Sequence, residues 1–150
     1  MTGPSYHARI HRANSTDPIP VLIHLRVFTD TEAVTAGNDA RRFVVTDDLG
    51  GTFLRSAHAT VTTVGSGTTT VQIHNLTNTD DLLATETDID SGDTTSYDAA
   101  TQHVVDVTGT PAVNYITRGD VLRVDVDAAG SGAMGLEVLL EFGPQIIRST

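Results

Sequence analysis

From Pro20 onward the chain alternates. Val21, Ile23, Leu25 and Val27 fall on one side of an extended backbone, and Leu22, His24, Arg26 and Phe28 fall on the other, the period of two that a strand requires. Apolar residues on both sides predict a strand with both faces at least partly covered. The same reading places strands over residues 41–46, 52–64, 68–76, 82–87, 102–108, 121–127 and 135–142. Roughly eight short strands at this spacing predict an all-β fold, a single antiparallel β-sandwich of jelly-roll type.

The connections agree. Asp48-Leu49-Gly50-Gly51, Gly65-Ser66-Gly67, Ser91-Gly92-Asp93, Gly109-Thr110-Pro111 and Gly130-Ser131-Gly132 each separate two predicted strands, and glycine supplies the backbone conformations that tight turns demand. In the last two strands Leu122, Val124 and Val126 alternate with Arg123, Asp125 and Asp127, and Leu136, Val138, Leu140 and Phe142 with Glu137 and Glu141. One face of each is expected buried and the other wet. Only residues 29–40 could hold a short helix, because Asp30, Glu32 and Ala33 suit a first turn before Gly37 stops it; a long loop reads equally well.

Residues 1–19 break the pattern. Pro4, Pro18 and the adjoining Pro20 interrupt them, and His7, Arg9, His11 and Arg12 make them the one basic stretch. They read as an extended N-terminal arm on a sandwich domain of residues 20–150, either a plain terminus or an arm that orders against an acidic neighbouring subunit. Composition sharpens this contrast. Nine basic residues, all arginine, stand against nineteen acidic ones, a net charge of −10. Such a surface repels phosphate backbones and anionic lipid, so neither nucleic acid nor membrane is an expected partner. The 150 residues suffice for one domain with a sizeable core. The absence of cysteine excludes disulfides, thiolate metal sites and cysteine nucleophiles. No apolar run reaches the length of a membrane span, and the first residues lack the apolar core of a signal peptide, which predicts a product made in a cytoplasm.

Candidate chemistry is sparse. Gly130-Ser131-Gly132-Ala133-Met134-Gly135 spells G-x-G-x-x-G, but a dinucleotide site needs a helix and a second strand after it, whereas the residues that follow alternate like a strand; a hairpin loop is expected. Asp88, Asp90 and Asp93, with Asp80 or Asp81, crowd carboxylates as a calcium loop does. Glycine stands fifth and Ala99 twelfth, which excludes an EF-hand and leaves a different calcium site or a solvated acidic turn. His24, His58, His74 and His103 lie inside predicted strands, where two could meet across a sheet and bind zinc or simply pack. Serines sit in ordinary turns without a nucleophile elbow. Arg118-Gly119-Asp120 spells an adhesion tripeptide at a turn that any strand start would need, and Asn14-Ser15-Thr16 and Asn75-Leu76-Thr77 fit a glycosylation pattern that matters only in a secretory route. No enzyme activity and no cofactor is expected.

Three passages carry a likeness beyond fold class: Leu25-Arg26-Val27-Phe28-Thr29-Asp30 with Val34-Thr35-Ala36-Gly37; Val71-Gln72-Ile73-His74-Asn75-Leu76-Thr77 through Ile89-Asp90-Ser91-Gly92 to Thr95-Ser96-Tyr97-Asp98-Ala99-Ala100; and Gly119-Asp120 through Gly135-Leu136-Glu137-Val138. Over residues 20–143 the chain resembles a family of small virion structural proteins of tailed bacteriophages. The resemblance implies a non-enzymatic, commonly trimeric β-sandwich that decorates an assembled shell as a cement protein, or decorates a tail. Its expected partners are its own copies and the major capsid protein or a tail protein, and its expected location is the virion. The candidate contacts are Arg9 and Arg12 on the arm and Leu22 and Phe28 on the second face of the first strand. The competing class is a carbohydrate- or calcium-dependent binding module using the loop over residues 80–98.

Overall fold

The computed structural model describes residues 20–145, which form an all-β sandwich. Its strands are β1 (Val21–Arg26), β2 (Gly37–Val44), β3 (Thr52–Thr63), β4 (Thr69–Asn75), β5 (Asp80–Asp81), β6 (Leu83–Thr85), β7 (Thr87–Ile89), β8 (Val104–Val105), β9 (Tyr115–Ile116), β10 (Val121–Ala128) and β11 (Met134–Gly143), with a single 3-10 turn at Ser96–Asp98. One sheet runs β1-β11-β3-β9; the other runs β2-β10-β4, with β5 and β7 both on the far side of β4. Strands β1 to β4 thus alternate between sheets, as do β9 to β11, and the first pairs with the last. That is the strand order of a jelly roll, two Greek keys wrapped on one core.

The fifth strand of the roll is split. β5 and β7 pair with β4 in registers that differ by three residues, and the three residues Leu83–Thr85 make up the difference as β6, which leaves to pair with β8. The buried Gln72 amide holds the excursion at its root: its Oε1 accepts from Leu83 N–H (3.1 Å) and its Nε2 donates to Leu83 O (3.0 Å).

The alternation read in the sequence builds the core. Leu122, Val124 and Val126 from β10 and Ile73 from β4 lie buried with Leu136, Val138, Leu140 and Phe142 from β11 and Leu54 from β3. Phe43 of β2 meets Phe142 edge to face across the sandwich, with centroids 6.4 Å apart.

Several expectations change. Residues 29–40 make no helix: the helix-start signals close one turn, with Glu32 N–H donating to Thr29 O and Thr29 N–H to Glu32 Oε1, each at 2.9 Å, and Gly37 then opens β2. The segment over residues 102–108 keeps only the two-residue β8. The glycine-rich loop before β11 is no hairpin, because β10 and β11 belong to different sheets. It crosses the end of the sandwich, clamped by reciprocal Ser66–Ser131 backbone bonds of 2.8 and 2.7 Å. A Cβ on Gly130 would lie 2.6 Å from Gly67 O, so backbone approach, not phosphate binding, explains that glycine. Nor is the turn after β7 a hairpin, since it leads across to the edge of β3, where Thr95 bridges Thr60.

The outer faces also differ from a simple wet surface. Asp125 is buried, accepting from Arg123 Nε (2.9 Å) and from Asp39 N–H (2.7 Å). In β1 the outer face of Leu22, His24 and Arg26 is exposed rather than covered. Phe28 does not share it, because Val27 and Phe28 N–H both donate to Leu136 O, a two-against-one bulge, after which Phe28 packs on the core.

Candidate functional site

The free edge of β3 gathers most of the polar side chains that carry chemistry. β9 covers only Thr52 and Phe53, so the backbone groups beyond them need other partners. Leu54 N–H donates to Asn114 O (2.9 Å), and Asn114 Nδ2 donates to Leu54 O (2.9 Å). Ala57 N–H donates to His103 Nε2 (3.1 Å), and Thr87 Oγ1 donates to Ala57 O (2.7 Å). Ala59 N–H donates to Ser96 Oγ (3.0 Å), and Val61 N–H to Thr94 O (2.9 Å). Side chains and loop carbonyls stand where another strand would lie.

Two of the four candidate histidines therefore do meet, not across a sheet but at its edge, His103 lying in the loop before β8. His58 and His103 pack edge to face with centroids 4.7 Å apart, and exposed Tyr97 stacks on His58 at 3.7 Å, with planes 10° apart. Ser96 Oγ lies 3.0 Å from His58 Nδ1. Gln102 pins the 3-10 turn by donating to the carbonyls of Ser96, Tyr97 and Ala99. The cluster is an edge cap. His103 Nε2 is committed to a backbone N–H, which needs a neutral ring. Burial, with His58 beside it, pushes the His103 imidazole down to about 4. Burial lowers His58 as well, against the charge of Glu141.

The His103 environment predicts a pH response. A histidine whose pKa is depressed on folding stabilises the native state fully above its unfolded value of 6.5, and that contribution is lost as pH falls towards 4. For a half-buried ring the effect is about 1–2 kcal/mol after discounting for solvent screening. His103→Gln retains an acceptor for Ala57 N–H and removes the titration. Between pH 7 and pH 4 the natural chain should lose more stability than the variant in urea melts by that amount; parallel losses would remove His103 as the cause.

Two of the three carboxylates of the candidate calcium loop are separately engaged, while Asp93 takes part through its backbone, its N–H donating to Asp90 O at 3.0 Å. Asp88 Oδ1 accepts from Thr70 Oγ1 (2.7 Å), and Asp90 Oδ2 accepts from Ala100 N–H (2.8 Å). Asp81 faces His74, Oδ1 to Nδ1 at 2.7 Å. Among the described residues no three histidine, aspartate or glutamate side chains converge to hold a metal ion. Nearby, the Glu86 carboxyl is pushed up to about 7, first by its hydrogen bond with the Asp127 carboxyl and then by burial and the charges of Asp127, Asp88 and Asp81. No sequence motif marked that pair, because it joins a loop to β10.

Below His103 a groove of about 630 Å³ opens between Leu54, Arg55, Val105 and Asn114, with exposed Val104 and Val107 on its rim. Arg55 Nε is buried there without a hydrogen-bond partner among the described residues.

Of the proposed contact residues, Leu22 is 57% exposed on β1, Phe28 is withdrawn into the core margin, and Arg9 and Arg12 lie outside the described residues. His24 and Arg26 flank Leu22 on the same face and reach Glu137, at 3.7 and 3.4 Å. Comparison of the chain with protein-family models finds no match, and neither curated proteins nor solved structures provide one.

Proposed function

We propose that the chain is a structural protein of a tailed-phage particle, a decoration or cement protein that binds the outside of the assembled head as a homotrimer. The observation that carries this reading is a jelly roll whose buried polar groups close its own edges and loops, while β1, a strand edge without a second backbone partner among the described residues, follows directly on the basic residues 1–19. Such a module supplies contact. Its acidic surface keeps free copies apart in solution, and weak contacts repeated by symmetry supply affinity on the particle. Arg9 and Arg12 are the charges through which an acidic assembly would hold the arm.

The test is uptake by particles from which the chain has been omitted. The natural chain should saturate heads, and the Arg9→Glu, Arg12→Glu double variant should bind about tenfold or more weakly at moderate salt, since each exposed pair contributes about 0.2–1 kcal/mol and the contacts repeat around a trimer. Uptake by tails and not heads would move the reading to a tail-decorating protein. Uptake by neither would overturn it.

A further inference from the structure

The two large sheets have four edges, and three of them are closed to strand addition. β3 beyond β9 is capped by His103, Ser96, Thr94 and Asn114. β4's outer neighbour is broken into β5 and β7 by the β6 excursion. β2 is guarded by exposed Arg41 and Arg42, by Asp39 at φ 63°, and by an irregular register against β10. β1 carries exposed His24 and Arg26 towards its end but no break in its pairing. Val21–Arg26 pairs with β11 in unbroken register, and its other edge has no backbone partner among the described residues. It carries exposed Leu22 and no proline or inward-pointing charge. Native proteins seldom leave a regular apolar edge open unless something covers it.

We infer that the β1 edge receives the N-terminal arm of a neighbouring copy as an added strand. The inference rests on the reading that the chain works in a multi-copy assembly, and it names the partner of the arm. Three observations single out this occupant. Nineteen residues enter the domain next to β1, a length of about 60 Å when extended, enough to cross to an adjoining subunit. Pro18 and Pro20 flank Ile19 and bias both Asp17 and Ile19 away from helical backbone, which disfavours a tight reversal directly into β1. Residues 5–17 contain no proline, so each can donate to a ladder.

Charge fits the same surface. The arm has no acidic residue before Asp17, and the face beside Leu22 carries Glu141 and Glu137 of β11, opposite Leu22 and Arg26 in the register. Arg9 and Arg12 differ in parity along a strand, so every register leaves one of them on that face. Exchange of arms head to tail closes a ring and suits a trimer as well as any other cyclic assembly.

The chain has no cysteine, so single cysteines can be placed at will. Full-length Ile10→Cys and Leu22→Cys chains, mixed and treated with a short bis-maleimide, should give a crosslinked pair containing one of each. In light scattering the natural chain should have a mass that is a multiple of its own, and Leu22→Lys, which places a charge on the edge, should weaken association about tenfold. Leu22 is exposed, so an unchanged melting temperature separates this from misfolding. A monomer at micromolar concentration, association unaffected by Leu22→Lys, or crosslinks only within a chain carrying both cysteines would overturn the inference. Shell binding is not part of the readout, so its failure leaves this result standing; crosslinks confined to one chain in a protein that still associates would sink the strand exchange alone, whereas a monomer would count against the trimer as well.

Discussion

Phe142→Ala is expected to destabilise the domain by about 3–5 kcal/mol, the range for emptying a buried aromatic site. Phe142 is fully buried on β11, the strand that β1 and β3 both flank, and its ring is the one that Phe43 meets from the opposite sheet. Truncation would remove contacts with both layers at once, and the β-ladder on either side of β11 limits how far the backbone can move to refill the space. Against a typical total of about 5–15 kcal/mol, this is enough to leave the variant partly unfolded near physiological temperature. Urea melts at neutral pH measure it. A loss under about 1.5 kcal/mol would mean that the sandwich closes over the site, contrary to the packing seen here.

Asp120→Ala is the second large effect, about 2–4 kcal/mol, and its origin is polar. The Asp120 carboxylate is buried at the start of β10. Oδ2 accepts from Asn75 Nδ2 and Thr117 N–H, both at 3.0 Å, and Oδ1 accepts from Thr117 Oγ1 at 3.1 Å. Asn75 in turn accepts from Thr77 and Asn78 N–H, and Val45 N–H donates to Asp120 O. The carboxylate thus ties the end of β4 to the turn that leads into β10, while the Asp120 backbone carbonyl holds the end of β2. Alanine would strand buried donors, each costing about 1–3 kcal/mol. Asp120→Asn keeps the volume but turns an NH2 group towards donors, so it should recover only part of the loss. Full recovery by asparagine would show that shape, not acceptor chemistry, matters at this position. The same burial removes Asp120 from the surface and with it any adhesive reading of Arg118-Gly119-Asp120.

The strands with strong alternation were legible because burial of one face writes a period of two into the sequence. β1, β3, β4, β10 and β11 lie within a residue or two of where that period places them. β5 and β9, each two residues long, leave no period to detect. Residues 29–40 stayed ambiguous because Thr29 and Glu32 close a single turn with the same hydrogen bonds that begin a helix. Phe28 was assigned to the wrong face because a bulge resets parity, and parity is all that alternation reports. Of the candidate site, the meeting of two histidines was within reach of the sequence, whereas the exposure of Leu22 was not, since apolar residues on both sides of a strand read as coverage on both. That His58 and His103 are the two, and that they cap an edge, was not.

By itself the sequence determined the fold class, the acidic balance and the contrast in charge between residues 1–19 and the rest, because these follow from composition and short-range pattern. The tertiary structure decided which edge stays open. β3 is capped by His103 on Ala57, and β4 loses its regular neighbour where Leu83 turns onto Gln72, while among the described residues β1 meets only β11. Whether a strand edge is covered depends on what the rest of the chain brings beside it, and no local pattern records that.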